Sequence, residues 1–223
     1  MIGGAADDPW IITGWTQYDS TRPLTIVNNI AQGTAVYQRI GNEITLDTLD
    51  WFFNMRINRD VENFVGIGGF LRLMIVYDKQ NSGTQPTVSD LLRDNIVTGN
   101  YGPTPSSGIN IENRKRWIVL ADEMIHLPGI TTDGDGNYQM TFSGSQEKQL
   151  GFRRFIKIRG RKKERLSTVY LTNSADPDGF GAISTGGIWF MIFGDTVVNA
   201  GPPVTQNCPF EWYTRMRISF LDN

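Results

Sequence analysis

The closing segment of the chain constrains the fold more than any other. Phe210, Trp212, Met216, Ile218 and Phe220 share one parity, while Glu211, Tyr213, Arg215, Arg217 and Ser219 share the other. Successive side chains on a strand point to opposite sides, so this period of two describes a strand with one buried and one solvated face, expected inside a sheet. The same period recurs upstream. Ile44 and Leu46 lie on one face, then Leu49, Trp51, Phe53, Met55 and Ile57 on the opposite parity, and the switch near Thr48 predicts a β-bulge. Phe70 to Tyr77 is apolar on both parities, as in a strand covered on both faces. Phe152, Ile156 and Ile158 oppose Arg153, Lys157, Arg159 and Arg161, giving one buried and one charged face. Arg116 to Ala121, Ser167 to Leu171 and Ile188 to Phe193 read as further strands.

Between these runs, 24 glycines and 10 prolines interrupt the chain. They mark breaks at 78–86, a long loop over 95–112 and a turn at 133–136. One short helix is predicted over 87–93, where Thr87 or Ser89 can cap the free amides and Asp90 suits the first turn. Residues 1–33 read as one strand and an irregular arm, the arm covering 1–22. About eight strands, long connections and almost no helix predict a single all-β domain over 1–223, a two-sheet sandwich or barrel. Trp51, Phe53, Met74, Leu120, Ile156, Phe190, Trp212, Met216 and Ile218 are its predicted core. With 223 residues, 39% of them apolar, there is material for that core.

Composition also narrows the chemistry. One cysteine (Cys208) and one histidine (His126) supply neither a disulfide nor a Cys/His zinc site from a single chain. Gly66-Ile-Gly68-Gly69 opens like a dinucleotide fingerprint, but the third glycine is misplaced and a strand follows where a helix is required. There is no P-loop lysine motif and no Gly-x-Ser-x-Gly elbow to pair with His126, and Cys208 has no neighbouring cation, as in a plain buried thiol. Asp133-Gly-Asp-Gly-Asn137 has the opening spacing of a calcium loop, but Gly144 stands where the bidentate glutamate belongs, so a turn is predicted. No run approaches the roughly 20 apolar residues needed to cross a bilayer, and the first ten residues do not read as a signal peptide. A soluble, non-secreted, non-enzymatic chain without metal or cofactor is expected.

Charge is the informative feature. The net charge is only −2, yet Arg153, Arg154, Lys157, Arg159, Arg161, Lys162, Lys163 and Arg165 are opposed by Glu164 alone. Arg114, Lys115 and Arg116 form a second cluster, and Phe152, Phe155 and Trp117 interleave the two with aromatic rings. Phosphate binding with bases stacked on rings is the chemistry this composition offers. The competing readings are a solvated hairpin tip and cations paired with acids across a subunit interface.

The order of motifs resembles geminivirus coat proteins and, more broadly, the single jelly-roll capsid proteins of circular single-stranded DNA viruses that encode a replication initiator. The resemblance rests on Gln38-Arg39-Ile40-Gly41, on Leu73 to Asp78 followed by Gly83 and Pro86, and on Arg116 to Asp122. Gly151-Phe-Arg-Arg-Phe-Ile-Lys157 and Met216 to Asp222 complete it, so it covers residues 38–222. It implies an eight-stranded antiparallel jelly roll of two four-stranded sheets, with one short helix in a loop. It also implies self-assembly into an icosahedral T=1 shell of 60 copies, single-stranded DNA as cargo, a host attachment factor as a possible partner, and the virion and host nucleus as locations. One departure matters. The family begins with an arginine-rich arm, whereas residues 1–38 hold one cation (Arg22) and three acids (Asp7, Asp8 and Asp19). Either the arm is missing from this chain, or the 153–165 cluster holds the genome in its place. A small satellite-type RNA virus capsid and a jelly-roll carbohydrate-binding module are the alternatives.

Overall fold

The computed structural model describes residues 10–12, 16–17, 24–34, 38–57, 69–81, 85–93, 95–97, 100–127, 130–132, 138–140, 149–160, 164–171, 180–195 and 210–222. Eight strands carry the fold: β1 (Trp10–Ile12), β2 (Leu24–Ile26), β3 (Glu43–Ile57), β4 (Gly69–Asp78), β5 (Trp117–Leu127), β6 (Gln149–Lys157), β7 (Gly187–Asp195) and β8 (Phe210–Asp222).

Their pairing follows one rule. β1 pairs β8, β2 pairs β7, β3 pairs β6 and β4 pairs β5, all antiparallel. The chain thus runs out and returns beside itself like one long hairpin, and that hairpin is rolled up by two further contacts, β8 on β3 and β7 on β4. Two sheets result, β1-β8-β3-β6 and β2-β7-β4-β5. This nested double Greek key is the jelly roll that the motifs implied.

The inner faces meet in a core that includes Leu49, Trp51, Phe53, Leu73, Ile75, Phe190, Trp212 and Met216. Trp51 stands edge-on to Phe152 with ring centres 4.8 Å apart, and its indole N–H donates to the Thr214 hydroxyl. Of the predicted core, Leu120, Ile156 and Ile218 are only partly buried but pack on this cluster. Met74 belongs to a second one. On the other side of β4, Met74 and Val76 join Leu24, Trp117, Trp189 and Met191 beneath Leu91 and Leu92. Helix α1 (Val88–Leu91) supplies this cover, and its N-terminus is closed by a capping box between Thr87 and Asp90.

The parity switch in β3 is a bulge at Asp47. β8 pairs Ser219 with Thr48 and Phe220 with Leu46, passing over Asp47, which lets both Ile44–Leu46 and Leu49–Met55 face the core. Opposite this bulge β6 leaves the sheet. Lys157 pairs with Thr48, and the track along β3 resumes only with Ser167 against Thr45. The excursion is pinned at its base by Ile158 and Leu166, both buried, through Ile158 N–H to Asp47 O and Leu46 N–H to Leu166 O.

Two expectations change. The arm is not wholly irregular, because β1 and a short strand at Thr16–Gln17 both pair with β8. The 95–112 loop contains a two-stranded hairpin, Asn95–Val97 against Asn100–Gly102. Ile130–Thr132 and Tyr138–Met140 also pair, while the 133–137 turn between them, like Cys208, lies outside the described residues, as does the His126 side chain.

Candidate nucleic-acid interface

Strand β6 divides the predicted cations by parity. Arg153, Phe155 and Lys157 are exposed on the outer face of the sheet, while Phe152 and Ile156 pack against the core. Arg154 shares the inward parity but lies on the strand at the end of its sheet, and its guanidinium reaches across to Glu123 of β5 at 3.1 Å. It therefore ties the edge of one sheet to the edge of the other.

Acids of this chain meet several of these cations. Arg153 makes a two-point contact with Asp50, at 2.8 and 2.5 Å, and its guanidinium lies 4.7 Å over the Phe155 ring. Hydrogen bonding to Asp50 raises the Arg153 pKa, so the group stays charged. Arg159 contacts Asp47 at 2.9 Å, which places a carboxylate of the bulge beside the start of the excursion. Arg159 and Arg165 face each other across a bridge, closed by Gly160 N–H to Glu164 O. Arg161, Lys162 and Lys163 lie outside the described residues.

The second predicted cluster separates by role. Arg114 and Lys115 are exposed on the turn preceding β5. Arg116 is held by fully buried Asp78 through two bonds of 2.8 and 2.6 Å, and its guanidinium lies 4.6 Å over Trp117. The bond to Asp78 raises the Arg116 pKa against the opposing effect of burial. A cation so engaged is a clamp between β4 and β5 rather than a ligand-facing group.

The register brings in residues that the sequence clusters do not contain. On the outer face of the β1-β8-β3-β6 sheet, β3 is flanked by β8 and β6, which gives four rows of paired positions. They are Ser219–Thr48–Lys157, Arg217–Asp50–Phe155, Arg215–Phe52–Arg153 and Tyr213–Asn54–Gly151. Phe52 and Tyr213 pack edge to face with ring centres 6.1 Å apart. Arg215 and Arg217 were legible as the polar parity of the last strand, but two cations in thirteen residues do not stand out until β3 sets them beside Arg153.

Among known proteins, no protein-family profile matches the chain. It is similar to a viral coat protein. The match, to the coat protein of Maize white line mosaic satellite virus, is 27% identical over 141 residues and covers 58% of this chain. The chain thus spans about 59% of that relative's length.

Proposed function

We propose that this chain is a structural, non-catalytic subunit of a viral capsid, many copies of which close an icosahedral shell around a single-stranded genome. The similarity to a satellite-virus coat protein carries this reading, and the nested jelly roll supports it with a fold suited to shell building. Shell building needs apolar surface outside the subunit core, and Ile40, Ile111, Met124, Leu171 and Leu221 supply it, each about half exposed or more. Ile109 and Ile125 are partly buried and pack against the clusters of their own subunit.

The motif resemblance favours single-stranded DNA as cargo, 60 copies per shell, and a life divided between virion and host nucleus. The satellite-virus relative favours a second reading, a satellite-type capsid with the same architecture and RNA inside. In either, Arg153, Lys157, Arg159 and Arg165 face the cargo, whereas Arg114 and Lys115 stand on the turn beside α1, over the other sheet. Electron microscopy of purified protein tests the capsid, with uniform closed particles expected; monomers alone across pH and salt overturn it. Digestion of the extracted cargo with DNase or RNase separates the two readings.

A further inference from the structure

We infer that the outer face of the β1-β8-β3-β6 sheet is a binding platform for single-stranded nucleic acid, completed by Arg215, Arg217, Tyr213 and Phe52 of β8 and β3. The inference rests on the proposed capsid only for the identity of the strand as packaged genome. The platform itself rests on the register. In the four rows from Thr48 to Asn54, the described residues present four cations, Arg153, Lys157, Arg215 and Arg217, against one carboxylate, Asp50. Beyond the bulge lie Glu43 and Asp47, so the positive stretch is bounded.

Spacing and ring placement select the ligand. Strands lie about 4.8 Å apart and alternate residues about 6.8 Å apart along each, so three strands and four rows cover roughly 10 by 20 Å. That is room for a few nucleotides. Phe155 is 73% exposed on the edge strand of the patch, one row from Phe52 and two from Tyr213, with the Arg153 guanidinium over one face of its ring. An exposed ring between cations stacks with a base whose face is uncovered, which a base within a duplex does not offer. The arrangement reads charge and π-faces and no base edges, so it accepts any sequence.

The same observations argue against a second copy as the occupant. In a two-fold contact the patch meets itself, which sets like charges against like at both ends. A polyanion instead meets complementary charge from the described cations.

The test uses purified full-length protein and fluorescence anisotropy with a labelled single-stranded 20-mer of dT, the same length of duplex, and a 50–200 mM salt series. Wild type is expected to prefer the single strand. Arg215→Gln with Arg217→Gln should flatten the plot of log affinity against log salt by about 1.4, since each phosphate contact contributes about 0.7. Phe155→Ala should lower affinity about tenfold while leaving the slope unchanged, because stacking releases no counterions. Lys157→Gln on an exposed side chain gives a further loss of about 0.7 in slope. Thermal melting confirms that each variant folds, and a variant that does not is replaced by Lys157→Gln in the comparison. Equal binding of duplex and single strand, or unchanged binding by the double arginine variant and by Phe155→Ala, overturns the platform. Variants that bind normally but no longer form particles also overturn it, and reassign the face to contact with an acidic surface of a neighbour. Particles from a wild type that does not bind the single strand refute the platform and leave the capsid standing; binding without particles does the reverse.

Discussion

The two sheets bury their inner faces against each other in the same way, but their outer faces end differently. The β2-β7-β4-β5 sheet is covered a second time, by α1 and the turn before β5, so Met74, Val76, Trp189 and Met191 are buried on the side facing away from the central core. Among the described residues, no such layer covers the four rows of the β1-β8-β3-β6 sheet, whose outward residues are cations, hydroxyls and rings with Asp50 and Asn54 between them. The difference follows from composition: β4 is apolar on both parities and must be covered twice, whereas β3, β6 and β8 alternate and need covering once.

The contrast is sharpest in large-to-small substitutions. Trp117→Ala, under the helix, should cost about 3–5 kcal/mol in urea melts, because it empties a buried site and removes one of the two donors to the Asp90 carbonyl, leaving only Asn113 Nδ2. Trp212→Ala in the central core is expected to cost a similar amount. A loss below about 1 kcal/mol for Trp117→Ala would mean that the covering layer adds little and the two outer faces are energetically alike.

The ion pairs give the same comparison in another form. Asp78→Asn should cost about 3–5 kcal/mol, since it leaves the Arg116 guanidinium without its buried carboxylate. Asp50→Asn, whose partner Arg153 is more than half exposed, should cost no more than about 1 kcal/mol. It should also strengthen single-strand binding, because it removes the one carboxylate that the described residues place in the four rows. Equal costs for the two would abolish the distinction.

Alkaline titration reports on the space between the sheets. The Tyr77 hydroxyl, which donates to Ser167 O at 2.6 Å, is pushed up to about 12, first by burial and then by the charge of Asp78. Burial raises Tyr170 as well. The unfolded chain gives up these protons near pH 10 while the folded chain retains them, so their contribution is intact below pH 10 and is lost as the pH rises through 12. The urea midpoint should fall over that window, and Tyr77→Phe should fall less steeply. The smallest effect belongs to the open face, where Phe155→Ala should change stability by less than about 0.5 kcal/mol.

Much of this was legible residue by residue. Parity identified which side of β3, β6 and β8 faces inward, and the switch near Thr48 located the Asp47 bulge, because side-chain direction along one strand is set by local backbone geometry. Thr87 and Asp90 announced the helix start for the same reason, a cap being complete within four residues. The cation cluster was visible as a count, but its meaning was not. Arg153 and Asp50 are 103 residues apart, Arg154 and Glu123 31, and Arg159 and Asp47 112, so nothing local foretold that these charges would meet. The 95–112 hairpin went unread because glycine and proline there mask a weak pairing signal.

The sequence by itself determined the long strands and their buried faces, since each depends on neighbours within a few residues. The tertiary structure alone decided that β8 and β6 flank β3 in register, and hence that Arg215 and Arg217 share a surface with Arg153 and Lys157. Register between strands distant in sequence is chosen by the packing of both sheets at once, and a shift of a single residue would have turned those cations toward the core.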